Sequence, residues 1–179
     1  GYHNVENALA AVTCAWALGV PLSVAKERLL SFEAVPLRSQ VVRCNGLTIL
    51  NDCYNANPLS FARALEMLRD LPVRRKLAIV GDMLELGSYA PSAHQAIGRM
   101  ATQLGIDAVL AVGEYADEVA QGVREVRGSA VTVYRSVQEL IEQLPSVLQH
   151  GDGLLVKGSR RLNLEQVTDF LLHRYGSGT

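Results

Sequence analysis

Cysteine is scarce in this sequence, and the cysteines present do not form closely spaced pairs. The 179 residues include three, Cys14, Cys44 and Cys53, and no Cys-x-x-Cys spacing occurs. An odd, widely spaced set argues against a disulfide framework and against a structural zinc site. Sparse, unpaired cysteine is typical of a reducing cytoplasm, where we expect this protein to act.

The sequence also lacks an excess of charge and long apolar runs. It has 17 Lys and Arg against 18 Asp and Glu, for a net charge of −1. We therefore expect no nucleic-acid partner, because affinity for a phosphate backbone requires clustered cations. Although 49% of the residues are hydrophobic, no apolar run approaches the roughly 20 residues that span a membrane. We expect no membrane span and no secretory signal before the first predicted helix.

Complete catalytic motifs are missing too. The sequence has no Gly-x-x-x-x-Gly-Lys-Ser/Thr phosphate loop, and no Gly-x-Gly-x-x-Gly follows a predicted strand. It shows no recognisable nucleophile elbow for a Ser/His/Asp set, and no His and carboxylate cluster has metal-ligand spacing. A complete active site is therefore not visible, and we predict no metal site in these residues.

Residues 1–36 differ in pattern from the rest of the chain. Val5, Leu9 and Trp16 recur at helical spacing, and a second predicted helix begins after Pro21. Two helices without an intervening strand are typical of the end of some other unit.

Beyond that segment, short apolar strands alternate with helices. Asn45-Gly46 predicts a tight hairpin turn between the first two strands. Continuous apolar strands that alternate with helices indicate an α/β fold, a mostly parallel sheet with helices on both faces. The predicted strands are residues 41–44, 47–50, 77–80, 108–112, 131–134 and 154–156.

Polar side chains are concentrated where the second strand ends. Asp52, Asn55 and Asn57 follow the apolar run, and Pro58 is suited to the first position of a helix. Open α/β sheets bind ligands outside the carboxyl ends of their strands. Asp52 can accept hydrogen bonds from hydroxyl groups such as those of a ribose, and the two amides can both donate and accept. We therefore predict a ligand near this turn.

A basic turn follows the last strand at the same predicted edge of the sheet. Lys157, Ser159 and Arg160 precede a helix, and Gly158 permits close approach of a ligand to the backbone. Arg160 could hold a carboxylate through two parallel hydrogen bonds. The alternative is a solvated basic loop, but its position after a strand favours anion binding.

Two further groups have structural interpretations that compete with functional ones. Asp82 could line a cleft or cap local amides in a tight turn. His94 lies in the next predicted helix and could be catalytic or simply packed.

At the start of the chain, Asn4 is a suitable helix cap, yet His3, Asn4 and Asn7 could instead contact a nucleobase. Arg38 could neutralise a phosphate or remain a solvated charge.

These motifs, in this order, resemble the Mur ligases, ATP-dependent enzymes that form amide bonds in peptidoglycan synthesis. The resemblance covers nearly the whole chain. Two of the motifs are similar to the branch of the family that joins D-alanyl-D-alanine to UDP-N-acetylmuramoyl-tripeptide. The motifs occupy residues 1–11, 52–60, 80–98 and 156–160, of which the last two carry the similarity to that branch.

The resemblance implies a fragment of a bacterial three-domain enzyme. Residues 1–36 would be the last helices of the central ATP-binding domain, and residues 37–179 the Rossmann-like C-terminal domain. ATP and Mg²⁺ would be bound mainly by residues that this chain does not contain, so the fragment alone should be inactive.

The resemblance also implies roles for individual residues. His3, Asn4 and Asn7 would contact the adenine, while Arg38 would approach the phosphates and Asp52 the ribose. Asn55 and Asn57 would line the cleft between domains, and Lys157, Ser159 and Arg160 would help to hold the dipeptide. The sequence departs from the family at Leu37-Arg38, where Gly-Arg is usual.

Two alternatives stay open. One is a sibling Mur ligase or a folylpolyglutamate synthase, and the other is a non-enzymatic α/β ligand-binding domain. The sequence does not determine the oligomeric state.

Overall fold

The structure is a computed structural model that describes residues 2–32 and 35–176. The chain forms two compact units, residues 1–35 and 36–179. The first unit contains two helices, α1 (Tyr2–Ala17) and α2 (Leu22–Leu30). Gly19 ends α1 in the left-handed conformation, with φ of 83°, which glycine adopts at little cost. Both helices predicted for this segment are confirmed.

The second unit is an α/β fold, as the sequence predicted. Within the described residues its sheet has six strands, β1 (Gln40–Cys44), β2 (Leu47–Asp52), β3 (Arg75–Val80), β4 (Ala108–Val112), β5 (Ala130–Tyr134) and β6 (Asp152–Lys157). Their order in the sheet is β1-β2-β6-β3-β4-β5. The β1 strand runs antiparallel to β2, and the other neighbouring pairs are parallel.

Helices cover both faces of this sheet. Alternate residues of each strand face opposite sides, so Ile49 and Leu77 join one apolar cluster whereas Leu50 and Ala78 join the other. The covering helices are α3 (Pro58–Asp70), α4 (Ala90–Gln103), α5 (Ala116–Glu125), α6 (Val137–Val147) and α7 (Glu165–Tyr175). One cluster lies under α3, α4 and α5, and the other lies under α6 and α7.

Local sequence signals account for two of the boundaries. Asn45 and Gly46 have φ of 43° and 78°, the pair of positive values that a two-residue type I′ hairpin requires. Asn57 caps α3 in a reciprocal capping box with Ser60, and Pro58 occupies the first turn of the helix.

The strand order determines which loops meet. The last strand, β6, lies between β2 and β3, and Lys157 is in register with both Asp52 and Val80. The carboxyl ends of β2, β6 and β3 therefore lie side by side, and the turns after them share one edge of the sheet, here called the carboxyl edge. In residues 2–32 and 35–176, no helix combines the length and apolar character needed to cross a membrane.

Candidate functional site

A buried ion pair lies at the carboxyl edge. Lys157 Nζ is 2.5 Å from Asp52 Oδ2, and the lysine side chain is 1% exposed. The same ammonium donates to the Asn55 carbonyl oxygen at 3.0 Å. On the other side of the carboxylate, the Ser39 amide donates to Asp52 Oδ1 at 2.8 Å. The pair therefore joins the end of β6, the end of β2 and the segment that leads into β1.

Burial and charge act in opposite directions on Lys157. Burial lowers the pKa of its ammonium below the ordinary value, while the charge of the Asp52 carboxylate and its hydrogen bond act to raise that pKa. The Phe61 ring lies beneath the ammonium, 5.5 Å from Nζ to the ring centroid. Protein groups thus enclose the cation, and its bonds in this arrangement go to other parts of the protein.

The turn after β2 uses its amides to hold its own shape. Asn55 Oδ1 accepts a hydrogen bond from the Ala56 amide at 2.8 Å. Asn57 Oδ1 accepts one from the Ser60 amide, also at 2.8 Å. Both asparagine side chains are nevertheless exposed, so they remain accessible from solvent at the carboxyl edge.

Arg38 is held over an aromatic ring beside this turn. Its guanidinium carbon lies 4.2 Å from the centroid of the Tyr54 ring, and the Tyr54 amide donates to the Leu37 carbonyl oxygen at 3.1 Å. Leu37 has φ of 63°, a conformation that costs a branched side chain more than it costs glycine. Glycine would adopt this backbone with less strain, which accounts for the glycine that is usual at position 37; nothing in the structure explains the leucine found here.

The turn after β6 contains one exposed charge and one buried hydroxyl. Arg160 is 53% exposed and pairs with Glu165 at 2.8 Å. Ser159 is 2% exposed, and its amide donates to the Asp82 carbonyl oxygen at 2.8 Å. Its Oγ has no hydrogen-bond partner among residues 2–32 and 35–176. A buried hydroxyl without a partner is costly unless a ligand or water satisfies it.

Asp82 and His94 both lie inside the protein. Asp82 is 6% exposed, and its two carboxylate oxygens accept the amides of Glu114 and Tyr115, each at 3.0 Å. His94 is fully buried, and its Nε2 accepts the Met83 amide at 2.8 Å. The capping interpretation of Asp82 and the packed interpretation of His94 are thus the ones that the geometry supports.

Cys53 does not offer a nucleophile at this edge. Burial raises the pKa of its thiol to about 11, and the nearby Glu165 carboxylate acts in the same direction. The thiol donates to Asn51 Oδ1 at 3.0 Å. In the described part of the chain, no group of three or more His, Cys, Asp or Glu side chains is placed to hold a metal ion.

The carboxyl edge brings together most of the residues that the sequence singled out. Asn4 and Asn7 belong to the other unit, where both are exposed on α1, and Asn4 lies inside the helix rather than at its cap. The His3 side chain lies outside the described residues. The predicted residues that meet at the edge or support it are Arg38, Asp52, Asn55, Asn57, Asp82, His94, Lys157, Ser159 and Arg160.

Sequence reasoning missed two contributors. One is Tyr54, whose ring lies under the Arg38 guanidinium. It is an aromatic residue shortly after a strand and is 44% exposed, and an exposed aromatic at that position could have indicated a site residue. Ser39 fixes Asp52 mainly through its backbone amide, which gives no signal in the residue type.

Comparisons with known proteins identify related sequences and structures. Residues 37–160 match the family model described as Mur ligase, glutamate ligase domain. The UDP-N-acetylmuramoyl-tripeptide–D-alanyl-D-alanine ligase of Treponema pallidum is 37% identical over 175 residues, covering 96% of this chain and 37% of that protein. The chain therefore spans little more than a third of this relative's length.

Solved structures give the same result. A crystal structure of MurF from Acinetobacter baumannii superposes with a TM-score of 0.85 at 29% identity, covering 97% of this chain and 38% of that one. MurF ligase from Thermotoga maritima in complex with ADP superposes with a TM-score of 0.74 at 25% identity, covering 90% of this chain and 36% of that one.

Removing one partner of the buried ion pair should destabilise the protein strongly. We expect Lys157→Met to lower the free energy of unfolding by about 3 kcal/mol or more, because it leaves the Asp52 carboxylate without its counter-ion. The Asp52→Asn/Lys157→Met double variant should recover most of that loss. Arg63→Met, which breaks an exposed pair with Glu66, is the matched control and should cost about 0–1 kcal/mol. Urea denaturation measures all three, and equal losses for Lys157→Met and Arg63→Met would contradict the interpretation.

Proposed function

Because the chain belongs to the Mur ligase family, we propose that it is the C-terminal part of an ATP-dependent ligase that joins D-alanyl-D-alanine to UDP-N-acetylmuramoyl-tripeptide. The observation that carries this proposal is the likeness to D-alanyl-D-alanine-adding ligases over 96% of the chain, far beyond any single motif. Residues 1–36 are then the last helices of the central domain, and residues 37–179 form the C-terminal domain of a bacterial cytoplasmic enzyme.

In the proposed reaction, the terminal carboxylate of the tripeptide attacks the γ-phosphorus of ATP to form an acyl phosphate, and ADP leaves. Mg²⁺, when bound, would stabilise the charge on the phosphates. The amine of the dipeptide then attacks this acyl phosphate, and the tetrahedral intermediate collapses to the amide and inorganic phosphate. Catalysis of this kind depends on positioning and on stabilising charge. The residues of this chain supply positioning groups at the carboxyl edge.

One half of the edge suits a nucleotide. The Asp52 side chain remains 15% exposed, and a carboxylate has acceptor capacity beyond its bonds to Ser39 and Lys157. It can therefore accept ribose hydroxyl groups, and the exposed Arg38 can approach the phosphates.

By the family resemblance, His3, Asn4 and Asn7 would contact the adenine in the full-length protein. The metal ion and the phosphate loop would belong to the part of such a ligase that this chain does not span, since the chain covers 37% of its relative's length.

The other half suits the dipeptide. Arg160 provides an exposed guanidinium for the carboxylate, and Ser159 Oγ provides a hydroxyl that lacks a partner within the described residues. Lys157 would support this half of the site without touching the ligand, because its ammonium fixes both Asp52 and the Asn55 carbonyl group. Asn55 and Asn57 lie beside it and would line the cleft.

The choice of amine tests the proposal directly. We expect the full-length gene product, with its upstream sequence, to release phosphate from ATP when given UDP-N-acetylmuramoyl-tripeptide and D-alanyl-D-alanine. The 179-residue chain alone should release none, because it contains no phosphate loop. A coupled phosphate assay and mass spectrometry of the product measure this.

Addition of a single amino acid to a shorter precursor would identify a sibling ligase, and addition of glutamate to a folate would identify a folylpolyglutamate synthase. Absence of turnover with every amine would favour a binding domain.

The ribose role of Asp52 makes a second prediction. In the full-length protein, Asp52→Ala should weaken ATP and ADP binding about tenfold or more, the loss of about 1.4 kcal/mol or more that a charge-assisted hydrogen bond supplies. The Asp52→Ala/Lys157→Met double variant should bind equally weakly, which separates a lost ribose contact from the effect of an unpaired buried lysine. Asp169→Ala, at an exposed position of α7, is the control. Calorimetric titration with ADP decides, and wild-type affinity in Asp52→Ala would remove the ribose role.

A further inference from the structure

Three consecutive residues after β3 connect the loops of the carboxyl edge. This segment, Gly81–Met83, is here called the Asp82 turn. It is almost entirely buried, and it carries no group that faces a ligand in the proposed reaction. Its hydrogen bonds instead go to three other elements, which suggests that its role is to place them.

The first connection is to the turn after β6. The Gly81 amide donates to the Lys157 carbonyl oxygen at 2.8 Å, and the Ser159 amide donates to the Asp82 carbonyl oxygen at 2.8 Å. The two backbones also touch: a Cβ added to Gly158 would lie 3.0 Å from Gly81 Cα. The position of Ser159 therefore follows the position of the Asp82 turn closely.

The second connection is to the loop after β4. The Asp82 carboxylate accepts the amides of Glu114 and Tyr115, as described above. Gly113 packs directly against this carboxylate, because a Cβ at that position would come within 2.6 Å of its atoms. A charged acceptor with two amide donors fixes the turn from this side.

The third connection is His94, which anchors the turn to α4. Its Nε2 accepts the Met83 amide, so the ring proton lies on Nδ1, which donates to the Ala90 carbonyl oxygen at 2.6 Å. The imidazole also stacks on the Tyr115 ring, with 4.5 Å between ring centroids and an interplanar angle of 18°. Contacts thus connect His94 to the Asp82 turn in two ways: directly through the Met83 amide, and through Tyr115, whose amide bonds to Asp82 and whose ring stacks on His94.

We propose that His94 is a positioning residue that sets the place of Ser159 through the Asp82 turn. This inference rests on the proposed function, in which Ser159 belongs to the dipeptide half of the site. His94 itself is fully buried and touches no substrate. Loss of its acceptor leaves the Met83 amide unsatisfied and frees the turn that holds the Ser159 amide.

Two substitutions separate the acceptor from the ring. His94→Phe keeps a ring that can stack on Tyr115 but removes the acceptor. His94→Gln places an amide oxygen where Nε2 was, and so restores the acceptor. Ile97→Ala is the control, because Ile97 lies in the same helix and is 3% exposed but makes none of these hydrogen bonds. It reports the effect of general core destabilisation.

The first readout needs no activity. Amide hydrogen exchange of the 179-residue chain should show faster exchange at Met83 and Ser159 in His94→Phe, and rates near the wild-type values in His94→Gln and Ile97→Ala after correction for global stability. Unchanged exchange at Ser159 in His94→Phe would overturn the proposal, whatever the enzyme does.

The second readout uses the full-length ligase. His94→Phe should raise the KM for D-alanyl-D-alanine about tenfold while leaving the KM for ATP within about twofold, since a small displacement of a positioning group weakens one subsite selectively. His94→Gln should restore the dipeptide KM. Equal effects on both substrates, or a similar rise in Ile97→Ala, would overturn the positioning role. If the wild-type protein does not use D-alanyl-D-alanine, the proposed function fails, while the exchange result still tests the link to Ser159.

Discussion

The buried contact between Lys157 and Asp52 links residues that are 105 positions apart in the chain. It lies at the carboxyl end of β6, the strand between β2 and β3. The contact therefore joins the last strand of the fold to the turn that precedes α3. A lysine that is 1% exposed is tolerated because three oxygen atoms of Asp52 and Asn55 surround its ammonium. The same contact orients the carboxylate proposed for the ribose and fixes the strand end from which the dipeptide turn begins. The two halves of the site therefore share one internal support.

The site separates side chains that build the edge from side chains that can meet a ligand. Asp82, His94 and Lys157 are buried and have internal partners, and Asn57 caps a helix. Contact with a ligand falls instead to exposed groups such as Arg38 and Arg160 and to the exposed part of Asp52. The Ser159 hydroxyl differs from both sets, because it is buried yet has no partner within the described residues. Polar residues at strand ends are costly to bury, and here each buried charge is compensated by amides or by an opposite charge. Rigid support of this kind is what a reaction that depends on positioning requires.

Local patterns were enough to predict much of the fold. The Asn45-Gly46 hairpin, the start of α3 at Pro58 and the alternation of strands and helices all follow from short-range chemistry, and the structure confirms them. The strand order did not follow, because nothing local in residues 152–157 states that this strand lies between β2 and β3. That order decides that Lys157 meets Asp52. The sequence therefore indicated residues that the structure places at the carboxyl edge, but it suggested a substrate contact for a lysine that is buried. His94 is similar, since a single helical histidine looks the same in sequence whether it is packed or exposed.

The state of the Lys157 ammonium tests the central contact most directly. The chain has three lysines, and Lys26 and Lys76 provide internal references. Nitrogen-detected NMR near neutral pH should show an ammonium signal from Lys157 whose protons exchange with water far more slowly than those of the other two. The signal should lose that protection in Asp52→Asn. A Lys157 signal that exchanges as fast as those of Lys26 and Lys76, or protection that is unchanged in Asp52→Asn, would contradict the account.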